Sequence, residues 1–96
     1  MGYVLAVTWV ARPGEEAKVE QILRTMVPLT QAEPGCIQYE AFRSTENPRQ
    51  FLIFEHYQDE AAFQAHSDSK YFKKHVLEEA VPILERRERA FYRSLE

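Results

Sequence analysis

The sequence predicts an α+β fold with an antiparallel sheet, and three observations lead to this expectation. Residues 36–43 and 51–57 are short apolar and aromatic runs separated by a polar loop with Asn47-Pro48, which is the pattern of a β-hairpin. Residues 3–11 form a third run of this kind, β-branched and aromatic, that stops at Pro13-Gly14. Between these runs and after the hairpin, apolar residues recur at helical spacing.

The first helical pattern follows the first strand and begins at Glu15. Its apolar face consists of Val19, Ile22, Leu23, Met26 and Leu29 or Thr30. Glu15 and Glu16 favour a helix start here, because their charges complement the helix dipole. Pro28 lies inside the pattern and removes one backbone hydrogen bond, so we expect a bend near residues 24–28.

The second strand of the hairpin is apolar on both faces. Side chains alternate along a strand, so one face carries Phe51, Ile53, Glu55 and Tyr57, and the other carries Leu52, Phe54 and His56. The first strand shows the same character. A strand in a small α+β domain normally buries only one face, so we expect the second face to be covered by a second copy of this chain.

Two further helical patterns follow the hairpin. Asp59 is a suitable N-cap for the first pattern, in which Ala62, Phe63 and His66 line one face. A break at residues 67–69 precedes the second, whose expected buried stripe is Phe72, Val76, Ala80 and Ile83. The tail stays undecided over residues 85–95, since its Leu, Glu and Arg favour a helix by propensity while alternation over residues 89–93 favours a strand.

Composition limits the function classes. The 96 residues, of which 45% are hydrophobic, fit one globular domain over residues 1–96. The net charge of -3 gives no electrostatic case for binding nucleic acid or an anionic membrane. The single cysteine, Cys36, cannot form an internal disulfide, and no apolar run approaches the roughly 20 residues that span a bilayer. We therefore expect a soluble cytoplasmic protein without a signal peptide.

With the tail taken as a fourth strand, the order of elements is that of the ferredoxin-like βαββαβ unit. Short segments along this order resemble the antibiotic biosynthesis monooxygenase (ABM) family, and the resemblance covers about residues 4–92. The segments are Arg12-Pro13-Gly14, Glu33-Pro34-Gly35-Cys36, Tyr39-Glu40, Phe51-Leu52-Ile53-Phe54-Glu55, Asp59-Glu60-Ala61-Ala62-Phe63, and Ala65-His66 through Tyr71-Phe72.

The resemblance implies a dimeric α+β barrel, in which two four-stranded sheets pack face to face and the tail is a strand. It implies oxygenation of quinols or polyketide-type aromatics without flavin, metal or haem, in a pocket between each sheet and its helices. Relatives in the family also degrade haem or isomerise phosphorylated autoinducer-2, so the family alone does not fix the reaction. In the haem-degrading branch, an asparagine and a tryptophan stand where this chain has Thr8 and His66, which disfavours haem degradation.

His66 is the predicted catalytic base. A neutral imidazole takes up a proton near pH 7, which is what converts a phenol or quinol into an oxygen-reactive anion. Because His66 shares a helical face with Ala62 and Phe63, we expect it to point toward the sheet. The alternative is a histidine at a helix end that is satisfied by a backbone carbonyl or by the cap of the next helix.

Glu55 is the second predicted catalytic residue. A hairpin loop centred near residues 46–47 places Glu55 opposite Tyr39 on one face of the sheet. A carboxylate among aromatic and aliphatic neighbours would be partly desolvated, which would raise its pKa and suit it to act as a base or to orient His66. The alternative is an ion pair with Arg43 or with an arginine of the tail.

The predicted substrate-binding residues are Tyr39, Phe63, Phe72 and Thr8. The three histidines have no metal-binding spacing, and the chain has no glycine-rich phosphate loop, so we expect neither a metal nor another cofactor. We expect Cys36 to be a buried structural thiol and His75 to face solvent.

Three functions are compatible with these features of the sequence. The leading hypothesis is a cofactor-independent monooxygenase that acts with O2 on quinol-like or polyketide-type aromatic small molecules, as a homodimer. The second is an isomerase of a phosphorylated, autoinducer-2-like carbonyl compound, which requires an arginine cluster at the pocket mouth. The third is a non-catalytic dimeric binding or accessory domain, which predicts no cavity large enough for a bicyclic ligand.

Overall fold

The computed structural model describes residues 2–95 and contains one four-stranded antiparallel sheet. Its strands, in chain order, are β1 (Tyr3–Ala11), β2 (Cys36–Arg43), β3 (Gln50–Tyr57) and β4 (Leu84–Arg93). They lie in the order β2-β3-β1-β4, so the first strand is central and pairs with both β3 and β4. This arrangement confirms the predicted ferredoxin-like α+β fold.

The helices cover one face of this sheet. They are α1 (Glu16–Gln31), α2 (Glu60–Asp68) and α3 (Lys70–Phe72), and α3 continues directly into a π-helical segment, Lys73–Ala80, and a 3₁₀ turn, Val81–Ile83. The sequence predicted this last region as one regular helix. Pro82 lies in the 3₁₀ turn, where its missing N–H is tolerated. Within residues 2–95, no helix has the length and apolar character needed to cross a membrane.

The tail is a strand, which decides the alternative that the sequence left open. β4 pairs with β1 from Tyr3 opposite Arg93 to Ala11 opposite Leu84, with a register shift between Val10 and Ala11. The hydrogen bonds of this pairing outweigh the helix propensity of Leu, Glu and Arg, because propensity is a weak preference that tertiary context overrides. α1 continues through Pro28 to Gln31, and the bend expected near residues 24–28 stays a prediction.

The two faces of the sheet differ in how they are covered. On the helix-covered face, buried side chains of the strands and helices form the core: Leu5, Val7, Trp9, Phe51, Ile53, Tyr57, Val19, Ile22, Leu23, Met26, Val76 and Ala80. On the opposite face, Phe42 and Leu52 are cross-strand partners and are 48% and 42% exposed in the single chain. Both faces are therefore apolar, as the alternation predicted, and the covering of the second face by a partner chain stays a prediction.

Candidate active site

His66 lies near the C-terminal end of α2, and its ring is directed into the protein. Asp59 caps the start of α2, where its Oδ1 accepts the N–H of Ala62 at 2.9 Å. Ser69 ends the helix and donates its hydroxyl to the carbonyl of His66 at 2.7 Å. The His66 side chain is 1% exposed. Its orientation toward the sheet agrees with the helical face that the sequence predicted.

The His66 ring bonds to a carboxylate rather than to a backbone carbonyl. Nδ1 of His66 lies 2.9 Å from Oε2 of Glu33, and the Tyr71 hydroxyl donates to the same oxygen. An ionised carboxylate only accepts hydrogen bonds, so Nδ1 donates in this contact, and whenever the ring is neutral Nε2 is the nitrogen that can accept a proton. Glu33 therefore fixes the tautomer that a general base requires.

Glu33 occupies a turn that is tightly anchored between α1 and β2. Its N–H donates to the carbonyl of Thr30 at 3.0 Å, and its own carbonyl accepts from Cys36 at 3.1 Å. The neighbouring Gly35 accepts from the N–H of Gln58 at 2.9 Å and lies directly against α2, where an added Cβ would overlap the Cβ of Ala62. The absence of a side chain at Gly35 is what lets this turn approach the helix.

Sequence reasoning missed both Glu33 and Tyr71. The only local signal was the Pro34-Gly35 turn, which placed an acidic residue at the start of a strand. Glu33 is 33 positions from its partner His66 in the sequence and 38 positions from its partner Tyr71. Such pairings depend on the packing of α2 and α3 on the sheet and are not visible in local spacing.

Glu55 lies on β3 directly opposite Tyr39, as predicted. It is 7% exposed, its Oε1 accepts the Tyr57 hydroxyl at 2.7 Å, and the same oxygen lies 4.0 Å from Nε2 of His66. Burial raises the pKa of Glu55, and the hydrogen bond from Tyr57 and the charge of His66 oppose that rise. Two carboxylates therefore flank the two nitrogens of one buried ring.

The expected alternative for Glu55, an ion pair with Arg43, is wrong. Arg43 binds Glu20 instead, with Nη1 at 2.8 Å from Oε1. The tail arginines Arg87 and Arg89 act on Glu55 electrostatically, and among the described residues neither forms a salt bridge with it. The reason is geometric, since Arg43 is paired across from Phe51 and lies four residues along β2 from the partner of Glu55.

A cavity of about 20 Å³ adjoins Glu55, which is room for about one water molecule. The predicted wall residues Tyr39, Phe63 and Phe72 all line it, together with Leu5, Val7, Trp9, Ile53, Val76, Arg87 and Arg89. The His66 ring packs edge-on against Phe72, with ring centroids 5.1 Å apart. The structure thus brings five of the six predicted site residues together.

Thr8 is the exception, and its assignment to this pocket is wrong. Thr8 pairs with Leu52 on the opposite face of the sheet. Its neighbours Val7 and Trp9 point toward the helices, and side chains alternate along β1, so Thr8 points away from them. Thr8 faces the surface for which we expect a partner chain.

A larger cleft lies between α1 and β2, with a volume of about 510 Å³. It is lined by Glu20, Leu23, Arg24, Val27, Gln31, Tyr39, Glu40, Ala41, Phe42, Arg43 and Phe51. Three of its charged groups pair with one another near the surface, since Glu20 binds both Arg24 and Arg43. Tyr39 lines both depressions, and burial raises the pKa of its hydroxyl well above the usual value.

The remaining candidate groups lie outside this cluster. His75 binds Glu79 at 2.9 Å and is only partly exposed, where the sequence predicted a solvent-facing ring. Cys36 is only partly buried, and burial together with Glu33 and Glu55 raises the pKa of its thiol to about 11, which keeps it protonated near neutral pH. Over residues 2–95 no group of three or more metal-binding side chains is found.

Residues 1–77 match the family model for antibiotic biosynthesis monooxygenase. This chain belongs to the ABM family. The match covers most of the chain and includes β1, α1, the hairpin and α2, so it contains Glu33, Glu55 and His66. Membership supports a general ABM-type function, while the substrate depends on the site itself.

Solved structures similar to this ABM chain share its whole fold. The structure of PA3566 from Pseudomonas aeruginosa has a TM-score of 0.92 and 25% identity, with 99% of this chain and 95% of that chain covered. Protein SO0527 from Shewanella oneidensis has a TM-score of 0.88 and 26% identity, with coverages of 95% and 88%.

One curated relative is uncharacterized protein sll1783 from Synechocystis sp. (strain ATCC 27184 / PCC 6803 / Kazusa), which is 28% identical over 65 residues. The match covers 68% of this chain, and the chain spans about 44% of the length of that relative.

Proposed function

We propose that this chain is a cofactor-independent monooxygenase of quinol-like or polyketide-type aromatic small molecules. The observation that carries the proposal is the buried His66 ring, which has Glu33 at Nδ1 and Glu55 beyond Nε2. Buried ionisable groups are costly unless they are paired, so a histidine between two carboxylates in a core is a candidate for proton transfer. Family membership supports the same class of reaction.

The proposed reaction begins with removal of the acidic proton of the substrate by Nε2 of His66. The anion is rich in electrons and reacts with O2, so that a carbon–oxygen bond forms, and the His66 imidazolium returns its proton to the resulting peroxide to give a hydroperoxide. The hydroperoxide then loses water, with the second hydrogen coming from the same carbon. The acidic hydrogen of the substrate and the hydrogen of the oxygenated ring carbon thus leave with one atom of O2 as water, the other oxygen atom becomes the carbonyl, and no external reductant is needed.

Glu33 and Glu55 act on His66 in different ways. Glu33 accepts the Nδ1–H and so keeps Nε2 available for the proton. Glu55 stabilises the imidazolium that forms, because a carboxylate 4.0 Å from Nε2 interacts strongly in a buried site. Tyr57 holds Glu55 in place through its hydroxyl.

The size of the cavity sets a condition on this proposal. About 20 Å³ admits one water-sized group, so a bicyclic substrate binds only when Phe63 and Phe72 move. Their elements meet at Ser69, where α2 ends and α3 begins. The non-catalytic alternative predicts a cavity of this small size, so a binding measurement decides between the two.

A second candidate function is favoured by the arginines. Arg87 and Arg89 both line the cavity, as an isomerase of a phosphorylated carbonyl compound would require. This candidate predicts turnover of a phosphorylated substrate in the absence of O2, whereas the monooxygenase requires O2.

We also propose that the chain is a homodimer that packs through the face opposite the helices. Phe42, Leu52 and Tyr92 are exposed large apolar residues on that face. Sedimentation at micromolar concentration should show a dimer, and Leu52→Asp should shift it toward a monomer because it buries a charge in the contact. Leu77→Asp, at an exposed apolar residue of the π-helical segment, is the matched control and should leave the dimer intact.

Oxygen uptake tests the proposed reaction. The purified protein is mixed with a naphthoquinol in air-saturated buffer, and the rate is compared with autoxidation in buffer alone. We expect uptake above the buffer rate and formation of an oxygenated product that carries ¹⁸O from labelled O2. Uptake equal to the buffer rate would refute the monooxygenase, and absence of any ligand binding would favour the non-catalytic alternative.

A further inference from the structure

Two buried hydrogen-bond donors on adjacent strands lack an acceptor among the described residues. They are the indole Nε1–H of Trp9 and the Nε–H of the Arg87 guanidinium. Trp9 is 4% exposed, so its indole cannot turn to solvent for a partner. Tryptophan and arginine nitrogens only donate, and both therefore require an oxygen or an anion as partner.

The two donors belong to one place in the fold. Trp9 of β1 and Arg87 of β4 are direct cross-strand partners, and side chains in such pairs lie about 5 Å apart on the same face. Both line the cavity of about 20 Å³ beside Glu55. Arg89, an exposed residue, lines it as well, so the lining carries two positive side chains of β4 together with the Glu55 carboxylate.

Unpaired donors in such a position are costly. A buried donor without an acceptor destabilises the folded state by about 1–3 kcal/mol, and native proteins rarely leave such groups without a purpose. The cavity has room for one oxygen atom or one water. An anionic oxygen of a ligand would accept hydrogen bonds from both donors. Its charge would also compensate the nearby positive charge.

We propose that Trp9 and Arg87 bind the anionic oxygen of an acidic aromatic substrate. The inference builds on the proposed function, because His66 produces a phenolate from the substrate and the two donors stabilise that charge. Donors aimed at the atom where charge develops favour the anion over the neutral phenol. The substrate class is therefore an aromatic with an acidic hydroxyl whose oxygen enters the cavity, while its ring takes the space vacated by Phe63 and Phe72.

4-Nitrophenol is a suitable probe, because its phenolate is coloured and it does not react with O2. The pKa of the bound probe is measured by absorbance across a pH series, and binding is followed by the fluorescence of Trp9, the single tryptophan of the chain. We expect the pKa of the bound probe to fall by about one unit relative to the free probe, which corresponds to about 1.4 kcal/mol. We also expect quenching of Trp9 on binding.

Matched variants assign this effect to the donor pair. Arg87→Gln should abolish the shift, and Trp9→Phe should reduce it by about half, since one neutral donor contributes less than a charged one. The control is Arg86→Gln, which removes the same charge from the neighbouring residue, an exposed arginine that contacts Glu88 at 3.5 Å. It should leave the shift unchanged. Thermal unfolding checks that each variant folds, and Arg87→Lys, which keeps the charge without the Nε donor, replaces Arg87→Gln if that variant does not.

Three results would overturn the inference: a probe that does not bind, a bound probe that ionises at its solution pKa, or equal losses in the Arg86 and Arg87 variants. The assay is independent of turnover. An intact shift together with absent oxygen uptake would refute the proposed monooxygenase and leave the anion site standing. Oxygen uptake without the shift would refute the anion site alone.

Discussion

Tyr39 lines two depressions, and the larger one has the less reactive lining. The cleft between α1 and β2 has a volume of about 510 Å³, and three of its charged groups, Glu20, Arg24 and Arg43, form ion pairs near the surface. The cavity beside Glu55 has about 20 Å³, and two buried titratable residues, Tyr39 and Glu55, line it. The depression with the larger volume is therefore not the one with the reactive side chains. The buried titratable groups indicate the position of the active site better than volume does.

Two carboxylates show the difference most directly. Hydrogen bonds from Arg24 and Arg43 lower the pKa of Glu20, which lies partly exposed at the surface. Burial raises the pKa of Glu55. Exposed ion pairs contribute little to stability, whereas a buried carboxylate near neutral pH destabilises the fold unless its neighbours compensate. A group that is kept at such a cost is a candidate for function.

The largest expected effect is the loss of the base. His66→Ala should lower the rate of oxygen uptake by a factor of about 10²–10⁴, because a positioned general base contributes that much. The control is His75→Ala, which removes a histidine that also binds a glutamate, but whose partner is Glu79 and not Glu33 or Glu55. Similar rates for the wild type and His66→Ala, or similar losses in both variants, would contradict the assignment of the small cavity as the site.

A smaller effect is expected when the orientation of His66 is disturbed. Glu33→Gln should lower kcat by about tenfold to 100-fold and change KM by less than about twofold, since Glu33 touches the base and not the substrate. The pH profile of kcat should shift as well, because the imidazolium loses a neighbouring charge. Glu79→Gln removes the equivalent partner of His75 and should leave kcat within about twofold. A change in stability alone, without a shifted pH profile, would reduce Glu33 to a structural role.

The pH dependence of stability provides a further test of Glu55. The pKa of Glu55 is higher in the folded protein than its usual value of 4.5, so the folded state binds the proton more tightly. Its contribution to the free energy of unfolding is fully present below pH 4.5 and is lost as pH rises through the folded pKa. Glu55→Gln should remove this loss, about 1.4 kcal/mol per unit of pKa difference. Denaturant unfolding of both proteins between acidic and neutral pH measures it, and parallel curves would show that the carboxylate is not perturbed.

The smallest effect is expected in the large cleft. Arg24→Gln removes an exposed ion pair with Glu20, so the free energy of unfolding should change by about 0.5 kcal/mol or less. kcat/KM should stay within about twofold. A loss of about tenfold or more in kcat/KM would instead indicate that the large cleft, and not the small cavity, is the active site.

The hairpin, α1 and the orientation of His66 could be predicted from sequence because each depends on local spacing. Glu55 opposite Tyr39 followed from the hairpin register in the same way. The tail could not be decided, since its strand exists only through pairing with β1, which lies about 80 residues earlier. Glu33 was missed for the same reason. Thr8 was misplaced because it was assigned by resemblance, although the alternation of Val7 and Trp9 on β1 already put it on the other face.

The close seating of Gly35 on Ala62 has a mechanical consequence for this protein. A single methyl group at position 35 would act as a wedge, which would lift the loop that carries Glu33 off the helix that carries His66. No reacting group would be altered, yet Glu33 and His66 would no longer be in contact. A random search for inactive variants should therefore return hits at a site that has no chemistry of its own.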